Sequence, residues 1–423
     1  MLKKSILEDL LYKEYEKIDR TPNDAIKNIK AVIVFSAEEL EVSGNNKKRI
    51  MEGIKIVNSL PTNTPFVYLG TKKQNAELKK FLKGKVISKK ILFPSNRITA
   101  NTRLQTMDLI KFIKKKSLKN ILIVSHFEHL PRIKRYLSLD KSSNLQIQIW
   151  PVGSLKSRSS FVMPEIERII KYAEMGDLPL FYKNVTLIIQ ARMQSKRFPG
   201  KVLKMLGKHP MLFYVLQRLK DTNGYYRVVL ATSTQNYDNK IASFATKCGV
   251  DIFRGDLNNV LKRYYYAAKK YNGDIIIRVT ADCPLIDKDL IIEGLLKFIE
   301  GGFDYLSNTL TRTFPRGFDF EIMSFDALEK AYIHATRIEE KEHVTPYIWL
   351  YHPELFNISE LCTSPNKSNY RITVDTEQDF LLVKRLIEKY QADEKNYIQI
   401  IKILDNNKRL VEINKDVKQV MIN

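Results

Sequence analysis

The 423-residue chain is long enough for two or three domains, each with its own apolar core. Hydrophobic residues make up 44% and charged residues 28% of it, a balance that excludes a disordered, collagenous or coiled-coil protein. No stretch reaches the roughly 20 apolar residues that a membrane helix requires, and the first residues are charged throughout, so we expect a cytoplasmic protein without a signal peptide. Cys248, Cys283 and Cys362 form no CxxC pair, which excludes a disulfide framework and a zinc cluster.

Lys and Arg outnumber Asp and Glu by 70 to 47, which gives a net charge of +23. A surplus of this size attracts anionic partners. Many of the lysines, including those between 111 and 116, fall on helix faces that we expect to be solvated. Charge alone therefore does not distinguish nucleic acid from phosphorylated metabolites.

The first half of the chain alternates short apolar runs with helical patterns. An opening helix is predicted before them, with apolar residues at helical spacing: Leu7, Leu10, Leu11, Tyr15 and Ile18. The runs are KAVIVFS, PFVYLG, ILFP, NILIVSH and QIQIW. Strands that are apolar throughout and linked by helices predict a parallel sheet covered on both faces. We therefore predict a doubly wound, mostly parallel β/α domain over residues 1–180.

Several polar residues of the first half follow strands at their carboxyl ends, where ligands bind in doubly wound sheets. The N-T-R helix start and the strand that ends in Ser-His resemble the SanA/YdcF-type domain of unknown function over about residues 30 to 150. His126 has an alternative role as a donor to a backbone carbonyl. The candidate site residues of this domain are Ser36, Arg49, Asn101, Thr102, Ser125, His126 and Arg132.

The alternation restarts after the turn-rich GDLPLFYKN, with VTLIIQ, RVVLAT, DIF and DIIIRVTADCP as further strand patterns. This restart predicts a second, tandem β/α domain over residues 181–423. Its last 33 residues give a weaker pattern, for which we expect a final helix and strand.

The loop QARMQSKRFPGKVL, residues 190 to 203, directly follows the first strand of this second domain. It combines Arg192, Lys196, Arg197 and Lys201 with Ser195 and the permissive Gly200. Four cations on one short turn repel one another unless an anion neutralises them, so the loop predicts a triphosphate site. The alternative is a solvated basic turn; neither GxxxxGK[ST] nor GxGxxG is present.

The second half resembles the SpsF-type cytidylyltransferases, which are related to the acylneuraminate and 3-deoxyoctulosonate cytidylyltransferases. The signature xARxxSxRxPGK is met, although Gln194 replaces its usual Gly, and RVTADCPLID, FPRGFDFEIMS, EEKEHVTPYI and YRITVDTEQD follow in the family's order. The resemblance implies a nucleotidyltransferase-like Rossmann-type fold over about residues 185 to 390. It implies as nucleotide-binding residues Gln190, Ala191, Arg192, Ser195, Lys196, Arg197, Gly200, Lys201, Thr232 and Ser233.

Asp282 and Asp375 match two metal carboxylates of that family. Carboxylates at neighbouring strand ends suit a shared Mg²⁺ that also takes phosphate oxygens. Each of these aspartates is alternatively a helix N-cap. The resemblance implies that catalysis depends on Arg192, Arg197, Lys201, Asp282 and Asp375.

The segment FPRGFDFE resembles the family's sugar site. Arg316 is a chemically suitable partner for a sugar carboxylate. Asp319 and Glu321 are two residues apart on an expected strand and either bind sugar hydroxyls or are exposed edge charges. His343 either assists deprotonation of the hydroxyl or orders its own helix.

These features predict an Mg²⁺-dependent enzyme that activates a sugar acid, of the nonulosonate or 3-deoxyoctulosonate type, with CTP. The products are a CMP-sugar and pyrophosphate, for surface polysaccharide synthesis. We expect no nucleic-acid partner and no membrane insertion, and a homodimer is left open. The alternatives are a glycosyltransferase of related fold, for which Asp287 and Asp289 form the nearest DxD motif, a basic nucleic-acid-binding protein, and a regulatory protein with a decayed site.

Overall fold

The protein is described from a computed structural model, which covers residues 2–16, 18, 28–36, 44–83, 89–95, 97–98, 101–138, 145–175, 177–181, 183–195, 197–220 and 224–418. The chain divides into two compact units, residues 1–182 and 183–423. No helix within these described ranges is long and apolar enough to cross a membrane.

The elements of the first unit alternate as the sequence predicts. In chain order they are α1 (Leu2–Glu16), β1 (Ala31–Phe35), α2 (Gly44–Ser59), β2 (Phe66–Leu69), α3 (Lys72–Leu82), β3 (Ile91–Leu92), α4 (Thr102–Lys116), β4 (Asn120–His126), α5 (Leu130–Ser138), β5 (Gln146–Val152) and α6 (Leu155–Glu174).

The five strands of this unit form one sheet in the order β3-β2-β1-β4-β5, and every pairing is parallel. Helices cover both faces, since Val57 of α2 and Leu78 of α3 belong to one core cluster, whereas Leu109 of α4 and Ile133 of α5 belong to another. Each fully buried aliphatic side chain contributes about 1.5–3 kcal/mol to stability. The predicted doubly wound parallel architecture is confirmed.

The second unit contains β6 (Val185–Gln190), a hairpin of β7 (Met205–Leu206) and β8 (His209–Pro210), α7 (Met211–Leu219), β9 (Arg227–Ser233), α8 (Asn239–Lys247), β10 (Asp251–Gly255), α9 (Val260–Lys270), β11 (Ile275–Thr280), α10 (Lys288–Gly301), β12 (Tyr305–Ser307), β13 (Glu321–Ser324), α11 (Phe325–His334), α12 (Ile338–His343), β14 (Ile358–Glu360), α13 (Glu377–Tyr390), α14 (Tyr397–Asp405) and α15 (Lys408–Val411).

Its main sheet has the order β10-β9-β6-β11-β13-β12-β14. The strands β10, β9, β6 and β11 are parallel, whereas β13 is antiparallel to both β11 and β12, so the sheet is mostly parallel as predicted. The chain leaves β6 towards β9 on one side and later adds β11 on the other. The topological switch point, where doubly wound sheets bind ligands, therefore lies between β6 and β11.

Three local predictions are wrong. The sequence pattern predicts a helix from Pro164 to Glu174 with GSLKSRSS before it as a candidate hinge, but this stretch belongs largely to α6, which begins at Leu155, since Ser, Lys and Arg are compatible with a helix. The helix expected near 337–350 is α12 followed by a separate π-helical turn, Tyr347–Tyr351, because Val344 takes a positive φ of 76° between them. The described part of the tail contains α14 and α15 and no strand.

Candidate active site

The basic loop leaves the sheet at the switch point. Gln190 ends β6 beside Thr280 of β11, and the backbone oxygen of Gln190 accepts a 2.9 Å hydrogen bond from Ala281 N. Gly200 has a left-handed φ of 71°, a conformation that glycine adopts without strain, and it starts the 3₁₀ turn that contains Lys201. The turn directs the side chain of Lys201 inwards, and this residue is only 7% exposed.

Lys201 brings together the two predicted metal carboxylates. Its Nζ lies 3.1 Å from Asp282 Oδ2 and 2.9 Å from Asp375 Oδ1, and it also donates to the backbone oxygen of Val374 at 2.7 Å. The backbone explains the approach, because Val374 N donates to the backbone oxygen of Asp282 at 2.8 Å. The sequence prediction placed Asp282 and Asp375 together, and the structure adds the ammonium between them.

Two guanidinium groups hold the other oxygen of Asp375. Arg197 and Arg371 each place an NH2 nitrogen near Asp375 Oδ2, at 2.9 Å and 2.8 Å. Arg371 also makes a bidentate contact with the fully buried Asp379, at 2.8 Å and 3.1 Å. The sequence analysis missed Arg371, although its position four residues before Asp375 in the motif YRITVD was a usable signal.

The charges of this cluster stabilise one another. Burial alone would raise the pKa of Asp282, but the charge of Lys201 and the hydrogen bond from Thr280 hold that pKa below its usual value. Burial likewise lowers the pKa of Lys201, and the two carboxylates outweigh it and raise that pKa. Asp282 and Lys201 are therefore both ionised at neutral pH.

Neither aspartate caps a helix. The N-cap of α13 is Thr376, whose side chain accepts from Asp379 N, and the N-cap of α10 is Asp287, whose side chain accepts from Leu290 N. The helix-cap alternative for Asp282 and Asp375 is therefore wrong.

The donor chemistry of the two aspartates suits Mg²⁺, which takes one or two protein carboxylates together with waters and substrate phosphates. Their side chains remain 26% and 15% exposed, so ligand oxygens can reach them. The described residues contain no group of three or more His, Cys, Asp or Glu side chains that could hold a metal by themselves. A metal held by these two carboxylates would need further oxygen ligands.

A buried cation that the sequence analysis missed, Arg263, lies near Arg192 of the basic loop. Arg263 of α9 is 1% exposed; its NH1 donates to the backbone oxygen of Asp256 at 3.0 Å, and its Nε and NH2 have no hydrogen-bond partner. Burial lowers the pKa of Arg263, and the nearby charge of Arg192 lowers it further. An arginine on the otherwise apolar face of VLKRYYYAA was the signal available in the sequence.

Polar atoms at the ends of β6 and β9 are also buried without partners. Gln190 Oε1 and Thr232 Oγ1 have none, whereas Ser233 hydrogen-bonds through its hydroxyl and its backbone N to Asp238. Asp238 also accepts from Met193 N at 2.8 Å and so fastens the basic loop to β9. Ser233 is thus held by the protein, whereas Gln190 and Thr232 keep hydrogen-bonding capacity for a ligand.

The remaining loop residues have modest contacts. Ser195 Oγ accepts from Phe198 N at 3.4 Å, and Ala191 N donates to the backbone oxygen of Ala231 at 3.2 Å. The Arg192 guanidinium, 37% exposed, lies 3.7 Å from Glu342 Oε1. Lys196 lies outside the described residues.

The predicted sugar-site residues have unlike environments. Asp319 precedes β13 and makes a bidentate contact with Arg312, at 2.8 Å and 2.9 Å. Glu321 is 7% exposed and accepts hydrogen bonds from Arg278, Tyr305 and Thr345, which is the environment of a structural ion pair and differs from the hydroxyl-binding role that the sequence suggested.

Arg316 is partly buried, and no carboxylate lies within ion-pair distance of it among the described residues. Burial lowers the pKa of its guanidinium, and the positive charges of Arg312 and Arg371 lower it further. Arg316 and Arg371 line a cleft of about 130 Å³ with residues of the C-terminal helices. A cation in these surroundings would be stabilised by an anionic ligand.

His343 ends α12 at a strained turn. Val344 has φ 76° and ψ −52°, and Thr345 N donates to the backbone oxygen of His343 at 3.0 Å, which closes a γ-turn. Such a turn costs a β-branched residue of the order of 1–3 kcal/mol. Burial lowers the pKa of His343, so the imidazole is neutral at pH 7.

The structure brings together only part of the site predicted in the first unit. Arg49 donates through Nε to His126 Nδ1 at 2.5 Å and through NH1 to the backbone oxygen of Ser36 at 3.1 Å, beside the buried Ser125. This contact makes Nδ1 of His126 an acceptor, so the predicted donation to a backbone carbonyl does not occur through Nδ1. Gln105, which sequence reasoning missed, donates to Ser36 Oγ at 2.7 Å.

The other three residues predicted for that site have local roles. Asn101 is the N-cap of α4 and accepts from Leu104 N, and the backbone oxygen of Thr102 accepts from Thr106 Oγ1. Arg132 lies 3.1 Å from the buried Glu165. They are therefore separate from the contacts around Arg49.

Comparison with known proteins matches a family to the second unit. A protein-family profile described as "Cytidylyltransferase" matches residues 186–418, which is more than half of the chain. An uncharacterised protein of Methanocaldococcus jannaschii is 38% identical over 234 residues, 55% of this chain and 95% of that protein. The spore coat polysaccharide biosynthesis protein SpsF of Bacillus subtilis is 31% identical over 233 residues, 53% of this chain and 95% of that protein.

Similar proteins also include enzymes and a solved structure. A 3-deoxy-manno-octulosonate cytidylyltransferase of Anaeromyxobacter is 33% identical over 125 residues, 29% of this chain and 49% of that enzyme. The solved structure of a cytidylyltransferase from Leptospira borgpetersenii is 35% identical, covers 57% of this chain and 100% of its own, and superposes with a TM-score of 0.53.

Proposed function

The chain belongs to the cytidylyltransferase family, and we propose that it transfers the cytidylyl group of CTP to a hydroxyl of a sugar acid, releasing pyrophosphate. The sugar acid is of the nonulosonate or 3-deoxyoctulosonate type. The name of the Anaeromyxobacter relative supports this acceptor class, and the name of the Bacillus relative supports a role for the CMP-sugar in surface polysaccharide synthesis.

One observation carries the proposal: Lys201 lies between Asp282 and Asp375, with Arg197 on the far oxygen of Asp375. A triphosphate requires several cations at one place, and a divalent ion that accompanies it requires carboxylates at the same place. The cluster supplies both kinds of group at a switch point of the sheet.

The transfer itself is a substitution at the α-phosphorus. The acceptor oxygen forms a bond to this phosphorus, the bond from the phosphorus to the bridging oxygen of pyrophosphate breaks, and the hydroxyl proton passes to solvent. Arg197 and Lys201 bind the phosphate oxygens and neutralise the charge that develops on them. Arg263 adds a preformed cation, because two of its N–H groups have no protein partner.

Asp282 and Asp375 would hold the divalent ion, which neutralises phosphate charge and orients the α-phosphate for attack. Lys201 would then shift from the carboxylates to the phosphate oxygens, so that each carboxylate keeps a cation at all times. Such an exchange avoids leaving a poorly hydrated charge unpaired.

The acceptor carboxylate would bind Arg316. This guanidinium is partly buried next to two other arginines, and an anion there removes an unfavourable electrostatic interaction. Asp319, held in place by Arg312, would accept hydrogen bonds from acceptor hydroxyls. Glu321 and His343 would stabilise the site without contacting the acceptor.

The base would be recognised at the ends of β6 and β9. Gln190 Oε1 is a buried acceptor and Thr232 Oγ1 both donates and accepts, which suits the amino and carbonyl groups of cytosine. CTP is made in the cytoplasm, and a CTP-dependent reaction is therefore placed there.

We further propose that residues 1–182 form a separate domain, related to the SanA/YdcF type. Its site would include Ser36, Arg49, Ser125 and His126, which lie at the carboxyl ends of β1 and β4, beside α2. The order of its strands reverses between these two strands, so this is its topological switch point.

The glycosyltransferase alternative has little support. Asp287 is 2% exposed and both its oxygens accept backbone hydrogen bonds, from Leu290 N at 2.9 Å and from Tyr397 N at 2.7 Å. A carboxylate in this arrangement maintains a helix start and is not open to a metal or a nucleotide sugar.

The test is a nucleotide panel with the full-length protein. Pyrophosphate release is measured with CTP, ATP, GTP or UTP, each with Mg²⁺ and with 3-deoxy-manno-octulosonate or N-acetylneuraminate as acceptor. We expect release with CTP alone among the nucleotides, and loss of it in Lys201→Met but not in Lys208→Met, an exposed lysine of the same loop region. Equal or tighter binding of ATP or GTP than of CTP, measured by calorimetry, would contradict the proposal.

A further inference from the structure

The first unit carries most of the charge of the protein. Residues 1–182 contain 34 Lys and Arg against 18 Asp and Glu, a net +16, whereas residues 183–423 contain 36 against 29, a net +7. The cytidylyltransferase profile begins at residue 186. The excess of positive charge therefore lies outside the part of the chain that explains nucleotide binding.

The topology gathers part of this charge at one edge of the five-stranded sheet. In a parallel sheet with helical crossovers the helices run antiparallel to the strands, so the ends of α3 and α4 and the starts of β1, β3 and β4 meet at the amino edge. Nine exposed lysines occupy these positions, the amino-edge lysines: Lys30, Lys79, Lys80, Lys83, Lys90, Lys114, Lys115, Lys116 and Lys119.

No carboxylate accompanies them within the segments that carry them. Residues 28–30, 79–83, 89–90 and 114–120 contain no Asp or Glu. Lys80 contacts Glu77, one turn earlier in α3, at 3.5 Å. Lys89 adds a buried charge at the same edge, since its Nζ donates to the backbone oxygens of Leu60 and Pro61 at 2.6 Å. The described segments that carry the amino-edge lysines thus contain charge of one sign.

Helix stabilisation explains only part of this arrangement. Lysines at the carboxyl ends of α3 and α4 interact favourably with the helix dipoles. Lys30, Lys90 and Lys119 lie outside helices, in the turns that enter β1, β3 and β4. Their shared position at one edge is therefore independent evidence of a basic surface.

We propose that the amino-edge lysines dock this protein on the surface of an anionic lipid bilayer. They lie on both helical layers and on the strand ends between them, so they form a broad face, and the described residues of this edge include no projecting helix or ribbon to enter a nucleic-acid groove. All of them are lysines, whose compact hydrated charge suits diffuse attraction to lipid headgroups, whereas arginine is preferred for bidentate phosphate recognition.

The attraction acts within about a Debye length, roughly 10 Å at 0.1 M salt, so it weakens steeply as salt is added. None of the amino-edge positions is a large apolar residue, and the docking is therefore electrostatic and reversible. It is independent of the proposed transferase reaction.

The test compares two variants of equal net charge. In the first, four amino-edge lysines are changed, Lys83→Gln, Lys90→Gln, Lys115→Gln and Lys119→Gln. In the second, four exposed lysines at the starts of α2 and α3, at the opposite edge, are changed, Lys47→Gln, Lys48→Gln, Lys72→Gln and Lys73→Gln. Full-length proteins are sedimented with vesicles of phosphatidylcholine, with and without 30% phosphatidylglycerol, and thermal melts confirm folding.

We expect the wild type to partition onto the phosphatidylglycerol vesicles at 0.1 M salt, the amino-edge variant to lose at least tenfold in partition coefficient, and the opposite-edge variant to lose less than threefold. Equal losses in the two variants would show that net charge acts without a defined surface and would overturn the proposal. So would absence of binding by the wild type, or tighter edge-dependent binding to a DNA duplex than to the vesicles.

Discussion

Lys201 Nζ lies 2.9 Å from Asp375 Oδ1, although 174 positions separate the two residues. The same nitrogen contacts Asp282 at 3.1 Å. One ammonium therefore stands where two carboxylates would otherwise repel each other. This arrangement couples the nucleotide loop to both carboxylates, and most of the following predictions depend on it.

Lys201→Met should abolish pyrophosphate release from CTP and lower the free energy of unfolding at pH 7 by about 3 kcal/mol, because two partly buried carboxylates lose their shared cation. The pKa of Asp282 should rise. Activity assays and urea denaturation at pH 7 measure both effects. Lys208→Met removes an exposed lysine and should change neither; unaltered turnover in Lys201→Met would contradict the assignment.

Asp282→Asn and Asp375→Asn should each slow pyrophosphate release by about 100-fold or more, and the double variant should be little slower than either single one, since residues that act as a unit are not additive. Thr376→Ala serves as the control, because it removes the true cap of α13 and should cost about 1 kcal/mol of stability with turnover retained. Additive rate losses from the two Asp changes would argue against a shared role.

Arg263→Met should leave the protein as stable as the wild type or more stable by about 1 kcal/mol, while CTP binding weakens. The reason is that a buried guanidinium with two unpartnered N–H sites opposes folding but is ready for an anion. Thermal melts and calorimetric titration with CTP give the two quantities. A large loss of stability together with unchanged CTP affinity would identify Arg263 as purely structural.

Glu321→Gln should lower the free energy of unfolding by about 3 kcal/mol, because it leaves the largely buried Arg278, whose side chain is 16% exposed, without its carboxylate. Asp319→Asn should instead raise KM for the sugar acid with little change in thermal stability, since Asp319 is partly exposed. Both variants are compared by melting and by acceptor titration. If instead Glu321→Gln raised KM and Asp319→Asn lowered the stability, Glu321 would be assigned to the sugar site.

Asp379→Asn should destabilise the protein by about 3 kcal/mol at pH 7. Burial alone would raise the pKa of Asp379, but hydrogen bonds from Arg371 and Asn414 hold that pKa below its usual value. The stabilisation of the fold by this carboxylate is therefore complete above about pH 4, and it is lost as the pH falls through the lowered pKa. Urea denaturation at pH 7 and pH 3 should show that the difference in free energy of unfolding between the wild type and Asp379→Asn is smaller at pH 3. Asp416→Asn, at an exposed position, serves as the control; a difference that persists at pH 3 would contradict the prediction.

The alternation of apolar strands and helices predicted both sheets, because strands buried on two faces must be apolar at every position, and this pattern is local in the sequence. The loop from 190 to 203 could be located for a similar reason. Its cations are close in sequence, and they follow a strand whose carboxyl end must lie at the sheet edge.

Contacts between segments that are distant in sequence could not be predicted from such local patterns. From the sequence, the order of the motifs favoured Asp282 and Asp375 as metal ligands and left a helix cap as the alternative. The cap geometry of Thr376 and Asp287 removed that alternative. The sequence suggested that Glu321 is exposed and either binds sugar or is an edge charge. Its burial depends on the pairing of β13 with β12 and on the approach of Arg278, which involve residues that are not adjacent to it in sequence.

The sequence by itself determined the fold class of the two units, the position of the basic loop and the resemblance to cytidylyltransferases, since each depends on residue types at short spacings. Only the tertiary structure decided that Lys201 lies between the carboxylates, that Arg371 and Arg263 flank the site, and that nine lysines share one edge. Those relationships depend on which strand ends and helix ends become neighbours, and that is set by packing across the whole sheet.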